Sequence, residues 1–413
     1  MKINLYDKKL EGLRGLCALN VAFAHIFTFK FFNSDKTPFY SFCLGLHFAH
    51  VAVLLFFIIS GYVIGLAHMR STFNFTNAID YLKKRAVRLY PIYLLALIIS
   101  FSVFNQSVSF IQVIGHLAFL QEFFVKTIPD NVVLWSLSYE IVYYLLFLGI
   151  WAIKNQKNYY YVVLIISIIL YVLITPDFNI FKSLLIGWIF WIVGLFIATL
   201  AHSTQDIAKL KLRPFISYFL ILLATYSLNS GVFLLNLAHI NLKNSTNIGL
   251  DDLVYLPICT IIITELTHKR FSLVNWFKVI ACIIPALQLV ILLYFKHPLT
   301  SNQGWLFGSV YFCAAIALCW LKISSYVFEK LNSTGRISYA IYVFHFPIAW
   351  FLSYKLTTYL SGEPLFITGV LAWICITTLL SIFAENILQP IIKNYFIKKP
   401  GHTSPAKISA FSQ

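Results

Sequence analysis

Long uninterrupted apolar runs decide what this 413-residue chain can become. Stretches such as VAVLLFFIISGYVIGLA (51–67) and YYYVVLIISIILYVLI (159–174) carry no charge and show no strand-like alternation. They approach the roughly 20 residues that a helix needs to cross a bilayer. They are unlike the alternating ten-residue segments of a membrane β-barrel. Only 11% of the residues are charged and 60% are hydrophobic, whereas a soluble domain carries about a quarter charged residues. Fifteen acidic and 31 basic side chains cannot clothe a core of this size in water. The sequence therefore predicts an all-α polytopic integral membrane protein and excludes a soluble enzyme or a secreted domain.

Twelve candidate spans follow, at 11–30, 47–68, 89–105, 132–153, 159–175, 183–201, 214–230, 252–267, 278–295, 304–321, 337–354 and 365–388. Asn229, Asn236, Pro257 and Pro285 make the seventh to ninth candidates for broken or re-entrant segments, so 10–12 helices are expected. The net charge of +16 would suit nucleic acid, but the basic residues punctuate hydrophobic spans instead of forming a domain. With the N-terminus inside, 24 of the 31 Lys and Arg fall on the inner side and 7 on the outer. That is the positive-inside bias, and it predicts both termini in the cytoplasm. The first apolar stretch carries Glu11, Arg14, Asn20 and His25 and has no cleavage site, unlike a signal peptide. The expected organisation is one membrane-embedded domain over 8–390 and a disordered basic cytoplasmic tail over 391–413, with no appended domain. The seven cysteines form no CxxC pair, so neither a disulfide framework nor a thiolate metal site is indicated.

With so few charges inside the spans, the exceptions carry the information, because an ionisable group in a membrane usually faces a cavity or a partner. In LEGLRGLCALNVAFAH (10–25), Arg14 and His25 are eleven residues apart. At about 100° per residue they share one helix face, separated by about 16 Å along the axis. Snorkelling for Arg14 and interhelical hydrogen bonding for His25 are the plain alternatives. In LWSLSYEIVYYLL (134–146), Glu140 sits at an apparent depth close to that of His25, where a carboxylate could orient the imidazole. Ser136 shares its face at i,i+4, and Ser138 lies between them. Ser60 and Gly61 interrupt the bulky run FFIISG (56–61), a pattern that close helix packing alone would explain. Arg85 and Arg88, at i,i+3 in a basic cluster, could together grip a phosphate, although topology alone also accounts for the cluster. GRISYAIYVFHFP (335–347) repeats the first pattern, with Arg336 at the inner mouth, Tyr339 one turn on and His345 nine residues deeper. No Walker loop, dinucleotide fingerprint or zinc motif is present, so nucleotide hydrolysis and metal catalysis have no support.

Five of these motifs occur in a fixed order: LEGLRGLCALNVAFAH, FFIISGYVIG, RAVRLYPIYLLAL, LWSLSYEIVYYLL and GRISYAIYVFHFP. In that order the chain resembles the acyltransferase family 3 membrane O-acyltransferases, which modify bacterial surface carbohydrates and other hydroxylated substrates. The resemblance runs from about residue 8 to about 390. It implies that Arg14 and His25 are the family's Arg-x10-His pair, with His25 catalytic. It also implies that Arg85 and Arg88 are the Arg-x-x-Arg motif, that Ser60 and Gly61 belong to the Phe-Phe-x-x-Ser-Gly element, and that Glu140 ends the Trp-Ser-Leu-Ser-x-Glu stretch. The family commonly places a Glu close to a Pro after the last span, whereas AENILQP separates Glu385 from Pro390 by four residues.

What the resemblance implies is transfer of an acetyl group from cytoplasmic acetyl-CoA to a hydroxyl of a surface or lipid-linked carbohydrate, across the bacterial inner membrane and without a metal. Arg85, Arg88, Arg336 and Ser60 would hold the donor and His25 would act as general base or acyl carrier. Arg14 and Glu140 would assist, with Ser136, Ser138, Tyr339 and His345 on the acceptor side or in support. The competing expectation is a secondary transporter or flippase using His25, Glu140 and His345 as a proton relay.

Overall fold

A computed structural model describes residues 7–103, 108–154, 159–174, 179–201, 215–240, 247–269, 271–295, 304–319 and 326–397. Every segment assigned among them is helical; the remaining assignments are isolated bridge residues, Gln121 paired with Val125, and Lys269. Helix α1 (Lys8–Thr28) starts where the Asp7 side chain accepts from the backbone N–H groups of Lys9 and Leu10, satisfying two donors that a helix start leaves free. A short α2 (Tyr40–Leu46) leads into α3 (Ala49–His68), followed by α4 (Phe75–Val103) and α5 (Phe110–Leu117). A 3-10 segment at Pro129–Leu134 runs directly into α6 (Trp135–Ile153). Then come α7 (Tyr159–Leu173), α8 (Asn179–Thr199), α9 (Phe215–Ser227), α10 (Ser230–Leu237) and α11 (Leu256–Leu266). The chain closes with α12 (Val274–Phe295), α13 (Gly304–Leu318), the short α14 (Tyr326–Lys330) and α15 (Asn332–Arg336), α16 (Ser338–Leu356), α17 (Gly362–Phe383) and α18 (Gln389–Ile397).

All twelve expected spans fall on helices, but length separates them. Among the described residues, seven helical segments are long and apolar enough to cross a membrane, or eight if the pair α9 and α10, bent by 56° around Leu228 and Asn229, is one span. The expected break at Asn229 is therefore a sharp bend. The expected span at 252–267 falls on α11 and the 3-10 segment Leu250–Tyr255 that runs directly into it, and is not among those seven. The expected break at Pro285 is corrected, since α12 continues through it for 22 residues. Helix α16 has 19 residues and passes through the middle of the bundle, packed on α1, α4 and α17. Surrounded by protein, it does not need a lipid-facing surface, which explains its several polar residues. The protein is thus a multi-pass membrane protein. Of the tail expected to be disordered, residues 391–397 belong to helix α18, and 398–413 lie outside the described residues.

Two local devices fix the helices that carry the functional residues. The first is close packing of α3 on α8: a Cβ at Gly61 would stand 2.0 Å from the Trp191 carbonyl oxygen, so only glycine allows the helices to approach this far. The second concerns prolines inside helices, which cannot donate to the carbonyl four residues back. Pro91 leaves the Val87 carbonyl free and Pro347 leaves that of Val343 free. Gln389 Nε2 donates to Val87 O at 2.8 Å, and Asn131 Nδ2 donates to Val343 O at 3.2 Å. Each vacated carbonyl is therefore a joint to another segment, the first joining α18 to α4 and the second the Pro129–Leu134 segment to α16.

Candidate active site

Two cavities face opposite ends of the bundle. The first, of about 910 Å³, is lined by Arg14, Lys84, Arg85, Arg88, Arg336 and Lys393 and by the carboxylates of Glu11, Glu140 and Glu385. The second, of about 810 Å³, contains His25 with Phe29, Phe123, Trp135, Glu122, Thr127 and Asn247. The two share no lining residue. Arg14 and His25 thus open into different cavities from the two ends of one helix face, as the eleven-residue spacing predicts.

In the basic cavity the cations are held in three ways. Arg14 Nη1 donates to Glu11 Oε1 at 3.1 Å, one turn back on the same helix. Arg88 Nη1 donates to Glu385 Oε2 at 2.5 Å, and its guanidinium lies 5.6 Å from the Tyr339 ring centroid. Arg85 packs on the rings of Tyr81 and Tyr144, at 5.9 Å from each centroid. Among the described residues no carboxylate lies within ion-pair distance of Lys84, Arg85, Arg336 or Lys393. Formally, six cations meet three anions here. The excess of positive charge in a partly enclosed space favours a polyanionic ligand, and the planar guanidinium groups suit phosphate oxygens.

Glu385 was visible in the sequence only as a departure from spacing. The chain forms a π-helical turn over Ala384–Leu388, and both Glu385 and Pro390 line the basic cavity. In a π turn, residues five apart return to nearly the same face. Lys84, of the same basic cluster as Arg85 and Arg88, also lines this cavity, as does Tyr144, which stands at i,i+4 from Glu140, a spacing that points to it.

The expected pairing of Glu140 with His25 is corrected. Ser60 Oγ donates to Glu140 Oε1 at 2.8 Å, and the Tyr144 hydroxyl donates to the same oxygen. The depth estimate failed because the 3-10 segment extends the helix outward. Glu140 lies eleven residues from its start at Pro129, whereas His25 lies three residues from the end of α1 at Thr28. Ser60 and Gly61 consequently serve both readings of their motif, the hydroxyl on Glu140 and the glycine on α8. Asn20, off the Arg14–His25 line, accepts from the Phe48 backbone N–H at 2.8 Å and ties α1 to the start of α3.

His25 pairs instead with His345: the Nδ1 of His25 and the Nε2 of His345 are 2.8 Å apart. Phe29 and Phe346 set their edges against the His25 ring, at 5.4 and 5.5 Å between centroids. Of the supporting residues, Ser136 Oγ lies 2.8 Å from the Tyr342 hydroxyl and donates to Val133 O at 3.1 Å. Tyr339 donates to the Leu89 carbonyl at 3.0 Å. Ser138 is fully buried, and its hydroxyl has no partner among the described residues. Ser136 and Tyr342 line the basic cavity, while the neighbouring Trp135 lines the histidine cavity, and the Tyr342 ring lies 6.1 Å from that of His345. The two linings therefore meet through Tyr342, His345 and His25. The three-membered relay His25, Glu140, His345 is not assembled, since Glu140 belongs to the other cavity.

No curated protein and no solved structure matches the chain. The acyltransferase domain of acyltransferase family 3 matches residues 7–323, which include Arg14, His25, Ser60, Arg85, Arg88 and Glu140 but stop before Arg336, His345 and Glu385. With three quarters of its length covered by that match, this multi-pass membrane protein belongs to acyltransferase family 3 and is an acyltransferase.

Proposed function

We propose that the protein transfers an acetyl group from cytoplasmic acetyl-CoA to a hydroxyl of a surface or lipid-linked carbohydrate, in the bacterial cytoplasmic membrane. The observation that carries this reading is the pair of cavities, one basic and one containing His25, whose linings meet through Tyr342, His345 and His25. The basic cavity takes the CoA phosphates on Arg85, Arg88 and Arg336, with Lys84 and Lys393 at hand. Its side of the membrane is the cytoplasmic one by the distribution of Lys and Arg. A donor with a long arm between its phosphates and its thioester suits the roughly 16 Å that separates Arg14 from His25 along α1. Ser60 and Tyr144 hold Glu140 beside that path.

His25 acts as the general base. Its imidazole takes the proton of the acceptor hydroxyl while the hydroxyl oxygen bonds to the thioester carbonyl carbon. The carbon–sulfur bond then breaks, and the CoA thiolate leaves with the proton returned from the imidazolium. The histidine cavity supports a carbohydrate acceptor by its composition. The flat faces of Trp135 and Phe123 suit the apolar face of a sugar ring. Glu122, which accepts from Thr127 Oγ1 at 2.6 Å and Asn247 Nδ2 at 3.0 Å, offers oriented oxygen atoms to hydroxyl groups. Membranes carrying the wild-type protein, incubated with radiolabelled acetyl-CoA, should pass label to lipid-linked or surface glycan. Label retained only in acetyl-CoA, or released only as acetate, sinks the reading.

A further inference from the structure

The His25–His345 contact fixes where the protons of both rings lie. His345 Nδ1 is 3.1 Å from the carbonyl oxygen of Ile341, one turn back on α16. A carbonyl only accepts, so Nδ1 of a neutral His345 carries the proton and its Nε2 carries the lone pair. That Nε2 is the atom 2.8 Å from His25 Nδ1, so His25 Nδ1 must donate. A neutral His25 then has its remaining lone pair on Nε2. No protein partner takes that nitrogen among the described residues, it is not among the sealed, unpartnered polar atoms, and His25 lines the second cavity. The ring planes differ by 17° with centroids 5.1 Å apart, which together with the 2.8 Å contact places the rings side by side in nearly one plane. This is the geometry of a linear N–H···N bond, not of a stack.

The backbone under His345 is also over-determined. Its carbonyl accepts from Trp373 Nε1 at 2.8 Å on α17. Two residues on, Pro347 leaves the Val343 carbonyl to Asn131. His345 itself is 1% exposed, so its ring cannot turn to water.

We propose that His345 is a positioning residue that holds His25 with its proton on Nδ1 and its lone pair on Nε2, directed at the acceptor cavity, through a neutral relay ending on the Ile341 carbonyl. The catalytic part rests on the reading of His25 as general base; the tautomer assignment does not. The arrangement does for His25 what a carboxylate does in a serine-type triad, fixing the tautomer, but without a buried charge in the resting state. A second neutral imidazole avoids the desolvation that a lone carboxylate would suffer at this depth. When His25 accepts a proton on Nε2, its Nδ1–H remains directed at the His345 lone pair, and no proton has to leave the relay.

The test uses the full chain, purified in lipid nanodiscs with ¹⁵N-labelled histidine. The two His25 nitrogens, assigned by their loss in His25→Ala, should read as protonated Nδ1 and bare Nε2. His345→Phe keeps the ring volume and removes the acceptor: His25 should become a tautomer mixture, and acetyl transfer should fall roughly 10²-fold with the KM for acetyl-CoA unchanged. His345→Gln places a carbonyl within reach of His25 Nδ1–H and should restore both the tautomer and part of the rate. A wild-type His25 protonated on Nε2, or a tautomer unaffected by His345→Phe, overturns the proposal, as does full transfer in His345→Phe. If the spectra are as expected but His25→Ala still transfers acetyl groups, the general-base reading fails and the tautomer assignment stands.

Discussion

The two cavities differ in how they treat charge, although α1 and α6 each contribute to both. At the basic end, guanidinium groups are held by nearby carboxylates and tyrosine rings: Arg14 by Glu11, Arg88 by Glu385 and Tyr339, Arg85 by Tyr81 and Tyr144. At the histidine end the central pair is two imidazoles bonded to each other among Phe29, Phe346 and Tyr342, with no carboxylate within hydrogen-bond distance among the described residues. On the function proposed above, the difference would separate binding from chemistry. An anionic donor would be recognised by charges held ready beside solvent, and acyl transfer would proceed where a bare lone pair is the useful feature. A charged relay at the histidine end would add a desolvation cost without improving the base.

If that separation holds, the largest effect comes from removing the base alone. His25→Ala should lower acetyl transfer by about 10² to 10⁴-fold, the range typical of a positioned general base. The same variant should bind acetyl-CoA within a few-fold of wild type in an equilibrium filter assay. A donor affinity that collapses together with the rate would mean that the cavities are one site. Next in size is Arg85→Glu, which removes an arginine and adds a repulsive charge. Donor binding should weaken by about 10 to 100-fold, the equivalent of roughly 1.5–3 kcal/mol for a charge-assisted hydrogen bond. An unchanged donor affinity would remove Arg85 from the phosphate site.

The sequence made the two ends legible unequally. Apolar runs located the helices, and the eleven-residue Arg14–His25 spacing correctly put one residue at each end, because both facts depend only on local periodicity. Arg85 and Arg88 were readable as a pair for the same reason, whereas Arg336, far along the chain, joined them only through the resemblance. The partner of His25 was not readable, since it is 320 residues away and the choice between Glu140 and His345 depends on helix offset. The Pro129–Leu134 segment shifts Glu140 along the axis, and nothing in its residues announces that it joins α6. The trace that could have helped was the recurrence of an arginine followed by a deeper histidine in 335–347. Gln389 and Asn131 were equally hidden, although Pro91 and Pro347 each announce a carbonyl that must find a donor. The π turn at Ala384–Leu388 has no sequence signature beyond the unusual Glu385–Pro390 spacing.

A smaller effect concerns the frame that holds the ends apart. Gly61→Ala would place a methyl 2.0 Å from Trp191 O, and α3 would have to move off α8. Overpacking of this kind costs about 1–3 kcal/mol, which should appear as a lower melting temperature in detergent. Because Ser60 would move with Gly61, its bond to Glu140 should weaken, whereas the His25–His345 bond, made by α1 and α16, should persist in the histidine spectrum. Loss of both would show that α3 sets the histidine end as well.

The smallest expected effect tests the place where the two linings meet. Tyr342 is buried; its hydroxyl lies 2.8 Å from Ser136 Oγ and 3.3 Å from the Val133 carbonyl oxygen, and its ring meets Phe56 edge-on at 5.7 Å between centroids. Tyr342→Phe keeps the ring and removes the two polar ties, a loss of about 1 kcal/mol, so folding and donor binding should be nearly unchanged. What should change is the fate of the thioester. With that junction loosened, water reaches the acyl carbon more readily, and the share of acetyl-CoA consumed as free acetate should rise while total consumption changes by less than tenfold. Measuring acetate against acetylated glycan in one reaction isolates this share from expression level and donor affinity. An unchanged ratio would mean that the hydroxyl bridge does not bar water, leaving the aromatic ring and Phe56 to separate the anion-binding end from the neutral one.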